Sequence, residues 1–239
     1  MTRESHSPRN KKTKTGKIKR ILLILIFIHV STLLIYKWIL PPITVTQFVS
    51  VLNGYTLQKE SVDFCSTPIN LKYAVIASED QLFAVHNGFD IDSIKKAFEH
   101  NKKKQALRGA STISQQVAKN VFLWQGRTWI RKGLEAYYTM AIEIIWKKRR
   151  ILEIYLNEAE TGPGIFGFKA AAKYYFNKDI KNLTLKQSAL IAASLPNPKI
   201  LNPKNPSKKM LKKADWIITQ IAYLKTRKTT ASLLNCNSL

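Results

Sequence analysis

Three observations predict an all-α protein. From residue 41 onward the apolar residues recur mainly at helical spacing. Ser or Thr stands three residues ahead of Gln at Ser78/Gln81 and again at Thr184/Gln187, the spacing of a capping box at a helix start. Strand-like alternation is weak, and no Gly-rich phosphate loop occurs.

Taken in order, residues 1–20 are basic and polar, with eight Lys/Arg against Glu4, and read as a disordered tail carrying +7. Ile21 to Leu40 is almost wholly apolar, and about 20 such residues match the hydrocarbon thickness of a bilayer. Tyr36, Lys37 and Trp38 suit its far interface. The run is long for a cleaved signal peptide, and Pro41-Pro42 follows it rather than a small-residue cleavage site. An uncleaved anchor is therefore expected over 21–40, with a cytoplasmic N-terminus and one domain over 41–239 outside the inner face. About 200 residues are enough for a real core. A helix is expected to begin near Ser78, and a short basic one to lie within 90–108, where Lys102, Lys103 and Lys104 read as an exposed loop. Residues 109–124 run from a small polar turn into a helix. Thr128 caps the next, whose apolar positions are Ile130, Leu134, Tyr137, Tyr138, Ala141 and Ile145, with Arg131 and Glu135 four apart. Amphipathic helices follow over 151–157 and 169–176, separated by a glycine-marked turn at 161–168. Ser188 to Ser194 reads as a buried helix, and a last basic helix runs from about Lys208 to Lys225.

The net charge of +24 calls for an anionic partner. With +17 outside the cytoplasm and beside a bilayer, that partner is lipid head groups, lipid-linked phosphates or wall polymer rather than nucleic acid. Cys65 and Cys236 form no metal or redox motif; one long-range disulfide and two free thiols both fit them.

The stretch 77–88 carries the first chemical signal. Glu79 and Asp80 follow the apolar run Tyr73–Ala77, and Phe83 and His86 continue at helical spacing toward Gly88. An acid placed directly after an apolar run is partly desolvated, which suits it to proton transfer. Acids in a first helical turn also simply favour the helix dipole, so this stretch alone does not decide. The strings Ser93-Ile-Lys-Lys96 and Lys14-Thr-Gly16 match two transpeptidase motifs but stand in the wrong order, and read as chance.

Five stretches together resemble the peptidoglycan glycosyltransferases, glycosyltransferase family 51. They are Glu79-Asp-x-x-Phe83-x-x-His86-x-Gly88; Gly109-Ala-Ser-Thr-Ile-Ser-Gln-Gln116 with Lys119-Asn120; and Arg131-Lys132-x-x-Glu135. The fourth is Lys148 to Asn157, and the fifth runs from Gly162 through Gly164-Ile-Phe-Gly167 to Lys178. The resemblance covers roughly residues 41–206, and its strength lies in five motifs in order with compatible gaps. Ser114 stands where the family usually has Thr, Asn177 where Gly is common, and Pro163 stiffens the fifth motif. The length is similar to that of the monofunctional biosynthetic transglycosylases, relatives of the class A penicillin-binding proteins without a transpeptidase domain.

The resemblance implies a lysozyme-like all-α fold with a smaller apolar lobe that dips into the membrane. It implies polymerisation of lipid II into β-1,4 glycan strands with release of undecaprenyl pyrophosphate. The reaction is an inverting single displacement, with Glu79 as general base and Glu135 as the second catalytic carboxylate. Because pyrophosphate leaves, cations are needed more than an acid. The family motifs offer Lys119, Arg131, Lys132 and Lys148, with Ser111, Thr112, Gln115 and Gln116 as hydrogen-bonding groups to sugar or phosphate. Mg²⁺ or Mn²⁺ is expected to assist, with Glu135 as its ligand or as the group orienting Arg131. Asp80, Phe83, His86 and Asn157 are expected to support the site, and Phe83, Tyr155, Leu156 and Phe176 to belong to the core. Expected partners are lipid II, the nascent glycan strand, the inner membrane and a cell-wall synthesis complex, with the domain in a periplasm. Two other readings share some features: a lysozyme-like lytic transglycosylase, and a non-catalytic tethered binder of anionic lipid or wall polymer. The first needs no cation cluster, and the second does not explain the order of the motifs.

Overall fold

The computed structural model describes residues 11–102, 109, 111–126 and 128–236, without the side chains of 11–15 and 101. The expectations for residues 1–10 and for the loop residues Lys103 and Lys104 lie outside the described residues, while Lys102 is the last residue of a helix rather than part of a loop. The chain divides into two compact units at Leu40/Pro41.

The first unit contains α1 (Lys11–Tyr36). Within it, Gly16–Tyr36 is long and apolar enough to cross a membrane. Residues 11–20 are helical rather than disordered, and the helix stops at Tyr36, four residues short of the expected end. A helix nucleated in the apolar run propagates readily into lysines, which are good helix formers.

The second unit is helical around a three-stranded scrap of sheet. α2 (Val45–Leu52) starts on a Thr44/Gln47 capping box. After β1 (Gln58–Lys59), α3 (Ile69–Glu79) runs through the core, with Leu71 to Ala77 buried on every side. α4 (Ile91–Lys102) is followed by α5 (Ile113–Phe122), α6 (Trp129–Ile145) and α7 (Lys148–Glu158). β2 (Glu160–Gly162) and β3 (Ile165–Phe166) turn the chain toward α8 (Phe168–Phe176). Then come α9 (Leu185–Ser194), α10 (Lys208–Thr226) and α11 (Lys228–Leu234). α3 packs against α9 and α10, while α5 packs against α6 and α7. Thr184/Gln187 does cap α9, and Thr128 caps α6.

Several expectations are corrected. The 161–168 segment is a hairpin, not only a turn: β3 pairs antiparallel with β2 and parallel with β1. Gly167 closes it at φ 81°, and a Cβ there would meet the Asn157 carbonyl oxygen at 2.7 Å. Phe176 is only half-buried, whereas Phe83, Tyr155 and Leu156 are in the core. Of the apolar positions read on α6, Tyr138, Ala141 and Ile145 are half-buried, and the rest are exposed. Arg131, Glu135, Thr139 and Ile142 face inward, while Ile130, Leu134, Tyr137, Met140 and Ile144 are exposed.

Cys65 and Cys236 are bonded, with Cα atoms 5.8 Å apart across 171 residues of sequence, so the free-thiol alternative does not hold. The bridge fastens the segment beyond α11 to the stretch before α3. Cys236→Ser is expected to lower unfolding stability by about 2–5 kcal/mol, because so long a loop constrains the unfolded chain strongly. Urea unfolding of oxidised wild type against the variant checks this, and coincident curves would contradict it.

Candidate active site

Glu79 is the last residue of α3, not the first turn of a new helix. Ser78 and Gln81 do not form a capping box. Ser78 Oγ lies 2.8 Å from Glu79 Oε1 and 3.0 Å from the Ala192 carbonyl, while Gln81 Nε2 donates to Gln220 Oε1 at 3.3 Å. The carboxylate is half-buried and held by neutral donors: Ser78 on Oε1, and Gln116 Nε2 on Oε2 at 3.0 Å. Gln116 Oε1 in turn accepts from the Tyr155 hydroxyl at 3.1 Å. Burial raises the Tyr155 pKa, and the charges of Glu79 and Asp80 raise it further. Tyr155 is thus a core residue whose hydroxyl orients the glutamine that holds Glu79.

Asp80 caps the C-terminal end of α3 and organises the turn that follows. Its carboxylate pairs with His86 Nε2 at 2.9 Å and accepts the Ile113 backbone N–H at the start of α5 at 3.0 Å. His86 Nδ1 accepts from the Gly88 N–H at 3.1 Å, which leaves Nε2 as the donor to Asp80. The Gly88 carbonyl accepts from Thr112 Oγ1 at 2.6 Å. Gly88 has φ 89°, and a Cβ there would meet Thr139 Cγ2 at 2.8 Å, so the turn lies hard against α6. His86 and Asp80 are thus tied to each other and to the starts of the Gly88 turn and α5, while Glu79, Phe83 and His86 do not share a helix face.

Thr112 and Gln115 form the capping box of α5 and are buried. That commits Thr112 Oγ1 and Gln115 Oε1 to the cap. Ser111 is exposed and lines, with Thr112, a cavity of about 330 Å³ bordered by Ala77 to Leu82, Asp90, Ser93, Gly109, Trp216 and Arg227. Ser93 belongs to the start of α4, donating to Asp90 through its backbone N–H at 2.9 Å and its hydroxyl at 2.7 Å.

The cations gather mainly around Glu135. Arg131 Nη1 lies 2.5 Å from Glu135 Oε2, and Lys132 pairs with Oε1. Arg131 and Glu135 are 9% and 3% exposed, so this is a buried pair, not the surface bridge that i, i+4 spacing alone suggests. Lys119 joins them electrostatically. Burial lowers its pKa, Glu135 and Glu160 pull it back up, and Arg131 and Lys132 push it down. Lys148 has another place: it pairs with Glu143 at 2.6 Å and lies 4.7 Å from the Phe83 ring centroid. Ser114 also donates to Glu143. Asn157 is structural, bonding the Val62 N–H at 2.8 Å and the Val62 and Glu153 carbonyls at 3.0 and 2.9 Å.

Sequence reasoning missed Glu143, Glu160, Lys213, Trp216 and Arg227. Glu143 completes the polar stripe Arg131, Glu135, Thr139 along one face of α6, a signal present in the spacing. Glu160 sits on a three-residue strand with no periodicity to mark it. Lys213 is hidden in the Lys-rich run of α10; burial lowers its pKa while the charge of Glu79 opposes that.

Among the described residues, no group of three or more His, Cys, Asp or Glu could hold a metal ion. A magnesium ion carried on phosphates needs only one or two protein carboxylates. Glu135 fits that smaller demand, because Lys132, 46% exposed, can turn to solvent and free Oε1.

Residues 46–222 match the family model described as Transglycosylase. The chain is 44% identical to a biosynthetic peptidoglycan transglycosylase of Stutzerimonas stutzeri over 87% of its own length and 88% of the relative's. It is 45% identical to the protein of that name in Pseudomonas aeruginosa over 80% and 84% of the two chains. For the one in Haemophilus influenzae the figures are 44%, 87% and 88%. A carboxylate in neutral hands at the end of a buried helix, with a cation cluster on α5 and α6, accompanies a match that spans most of both chains, and this chain belongs to the transglycosylase family, among the biosynthetic peptidoglycan transglycosylases.

Proposed function

We propose that the enzyme polymerises lipid II, with Glu79 as the base. The acceptor's 4-hydroxyl attacks the anomeric carbon of the donor, its proton passing to Glu79. The bond to undecaprenyl pyrophosphate breaks with its electron pair on the leaving oxygen, giving inversion. The observation that carries this reading lies on α5. Gln116 holds the Glu79 carboxylate, and Lys119, three residues on and so on the same helix face, is within electrostatic reach of Glu135, Arg131 and Lys132. The base on α3 and a cluster suited to pyrophosphate on α6 are thus linked through adjacent turns of α5. Mg²⁺ or Mn²⁺ held by Glu135 would supply further neutralisation of pyrophosphate charge.

Membrane access is part of the proposal. The exposed apolar face of α6, with Trp129 at 92% exposure beside Ile130, Leu134 and Ile144, supports contact with a bilayer. The disulfide supports a domain outside the reducing cytoplasm, in keeping with a cytoplasmic N-terminus, an anchor in the inner membrane and a periplasmic domain. A cell-wall synthesis complex is the wider setting we infer.

Incubation of the purified full chain with lipid II, followed by separation of products, tests the reading. Glycan polymer is expected. Shortening of preformed wall glycan would replace it with a lytic activity, and no change in either substrate would leave only a binder.

Lys119 gives a pH signature. Its folded pKa is below the unfolded value, so its charge costs stability at low pH, and that cost disappears as pH rises through the folded value toward the unfolded one. Activity runs the other way, because the cation must be present for the leaving group. The alkaline limb of kcat/KM is expected below the ordinary lysine range, and Lys119→Arg is expected to move it upward, since arginine stays charged. An unmoved limb would assign it to another group.

A further inference from the structure

We propose that Trp216 and Arg227 form an acceptor-binding wall of the Glu79 cavity, Trp216 taking a sugar face and Arg227 a carboxylate borne on that sugar's substituent. This rests on Glu79 being the base for a sugar hydroxyl, since the group it deprotonates must lie in this cavity.

Four observations converge. First, the cavity is acidic: Glu79, Asp80 and Asp90 line it, and Arg227 is the single cation among its described lining residues. Two of those acids have partners of their own, Asp80 with His86 and the Ile113 N–H, and Asp90 with Ser93. Second, Arg227 donates to neutral oxygens, Nη1 to the Gln81 carbonyl at 3.3 Å and Nη2 to the Tyr223 hydroxyl at 3.0 Å. A guanidinium has five N–H donors, so donors remain for a carboxylate, and its fork matches that geometry. Among the described lining residues an acidic ligand would otherwise meet only like charge. Third, Trp216 is 46% exposed at the same cavity. A half-wet indole, apolar on its face and polar at its edge, suits the mixed surface of a sugar ring.

The fourth observation concerns how Arg227 is held. It lies beyond residue 222, where the match to the family model ends. It joins α10 to α11, whose Thr230 and Leu234 are buried, and the Cys65–Cys236 bridge fixes the chain just past α11. The Arg149 guanidinium lies against the bridge, Nη2 at 2.6 Å from Cys65 Sγ and 3.0 Å from Cys236 Sγ. Arg227 is thus carried to the cavity by a segment anchored at both ends.

The test uses the full chain and two soluble probes without pyrophosphate: a disaccharide bearing an acidic peptide, and the same compound with its peptide carboxylates amidated. Calorimetric titration of wild type is expected to show the acidic probe binding about tenfold more tightly or better, the worth of one charge-assisted contact. Arg227→Ala is expected to erase that preference, Arg227→Lys to retain part of it, and Trp216→Ala to weaken both probes alike. Melting curves report folding, so a variant that binds poorly because it is unfolded is recognised, and the lysine variant then decides. Preference for the acidic probe persisting in folded Arg227→Ala would overturn the assignment. So would wild type binding neither probe, or binding both equally, which would leave Arg227 to the acceptor's pyrophosphate or to charge balance. If the probes behave as expected but lipid II is not polymerised, the polymerase reading fails while this site stands.

Discussion

Replacing Glu79 with Gln is expected to lower the rate of lipid II polymerisation by about 10²–10⁴-fold, the usual worth of a positioned general base. Lipid II should still bind, because the substitution keeps the side chain's shape and leaves the Glu135 cluster untouched. The local hydrogen bonds can also survive. The new amide would present a carbonyl to Ser78 and an N–H to Gln116, whose own amide can turn over, since the Tyr155 hydroxyl both donates and accepts. The cost in stability is therefore expected to be within about 1 kcal/mol. Single-turnover rates with saturating lipid II, a binding isotherm and a melting curve separate the three effects. Turnover near the wild-type rate in a folded variant would sink the assignment of the base. Gln116 provides a control, because it positions Glu79 without taking a proton: Gln116→Ala is expected to reduce turnover less than Glu79→Gln does.

The order and helical character of the elements could be read from the sequence because caps and apolar spacing are local. Thr184/Gln187, Thr128 and the buried run Ser188–Ser194 all form where their spacing puts them. The errors arise where a tertiary contact competes with a local one. Ser78 and Gln81 have the spacing of a capping box, yet they stand at the C-terminal end of α3, where α9 and α10 take their hydrogen bonds. The apolar spacing of α6 is plain, yet Ile130, Leu134 and Tyr137 are exposed while the polar Arg131, Glu135 and Thr139 are buried. A sequence shows that a helix is amphipathic and does not show which solvent its apolar face meets. The disulfide and Arg227 depend on the far end of the chain returning to Cys65 and to Gln81, which no spacing encodes.

Glu135 carries the second large effect, on stability as well as turnover. Both its oxygens are engaged, one by Arg131 and the other by Lys132. Lys132 can take its charge into solvent when the carboxylate is removed, but Arg131 cannot, because it is buried and tied through Nε to the Gly126 carbonyl at 2.6 Å. Glu135→Ala therefore strands a guanidinium inside the fold, and the expected loss is about 3–5 kcal/mol. Were the pair the exposed bridge that its spacing suggests, the loss would be a few tenths of a kcal/mol. Urea unfolding distinguishes the two, and a loss below about 1 kcal/mol would contradict burial of the pair. Turnover responds to a different property. In Glu135→Gln the packing and one acceptor remain, so stability falls less, while polymerisation drops because the cations are no longer held in place around the leaving pyrophosphate. Arg131→Met with Glu135→Leu separates the contributions further. Removing both charges takes away the stranded guanidinium, so that stability should recover most of what Glu135→Ala loses. Activity should not recover, because the site then lacks the guanidinium we propose for the pyrophosphate oxygens, whose fork suits them in pairs. Recovery of both together would mean that the pair serves the fold alone.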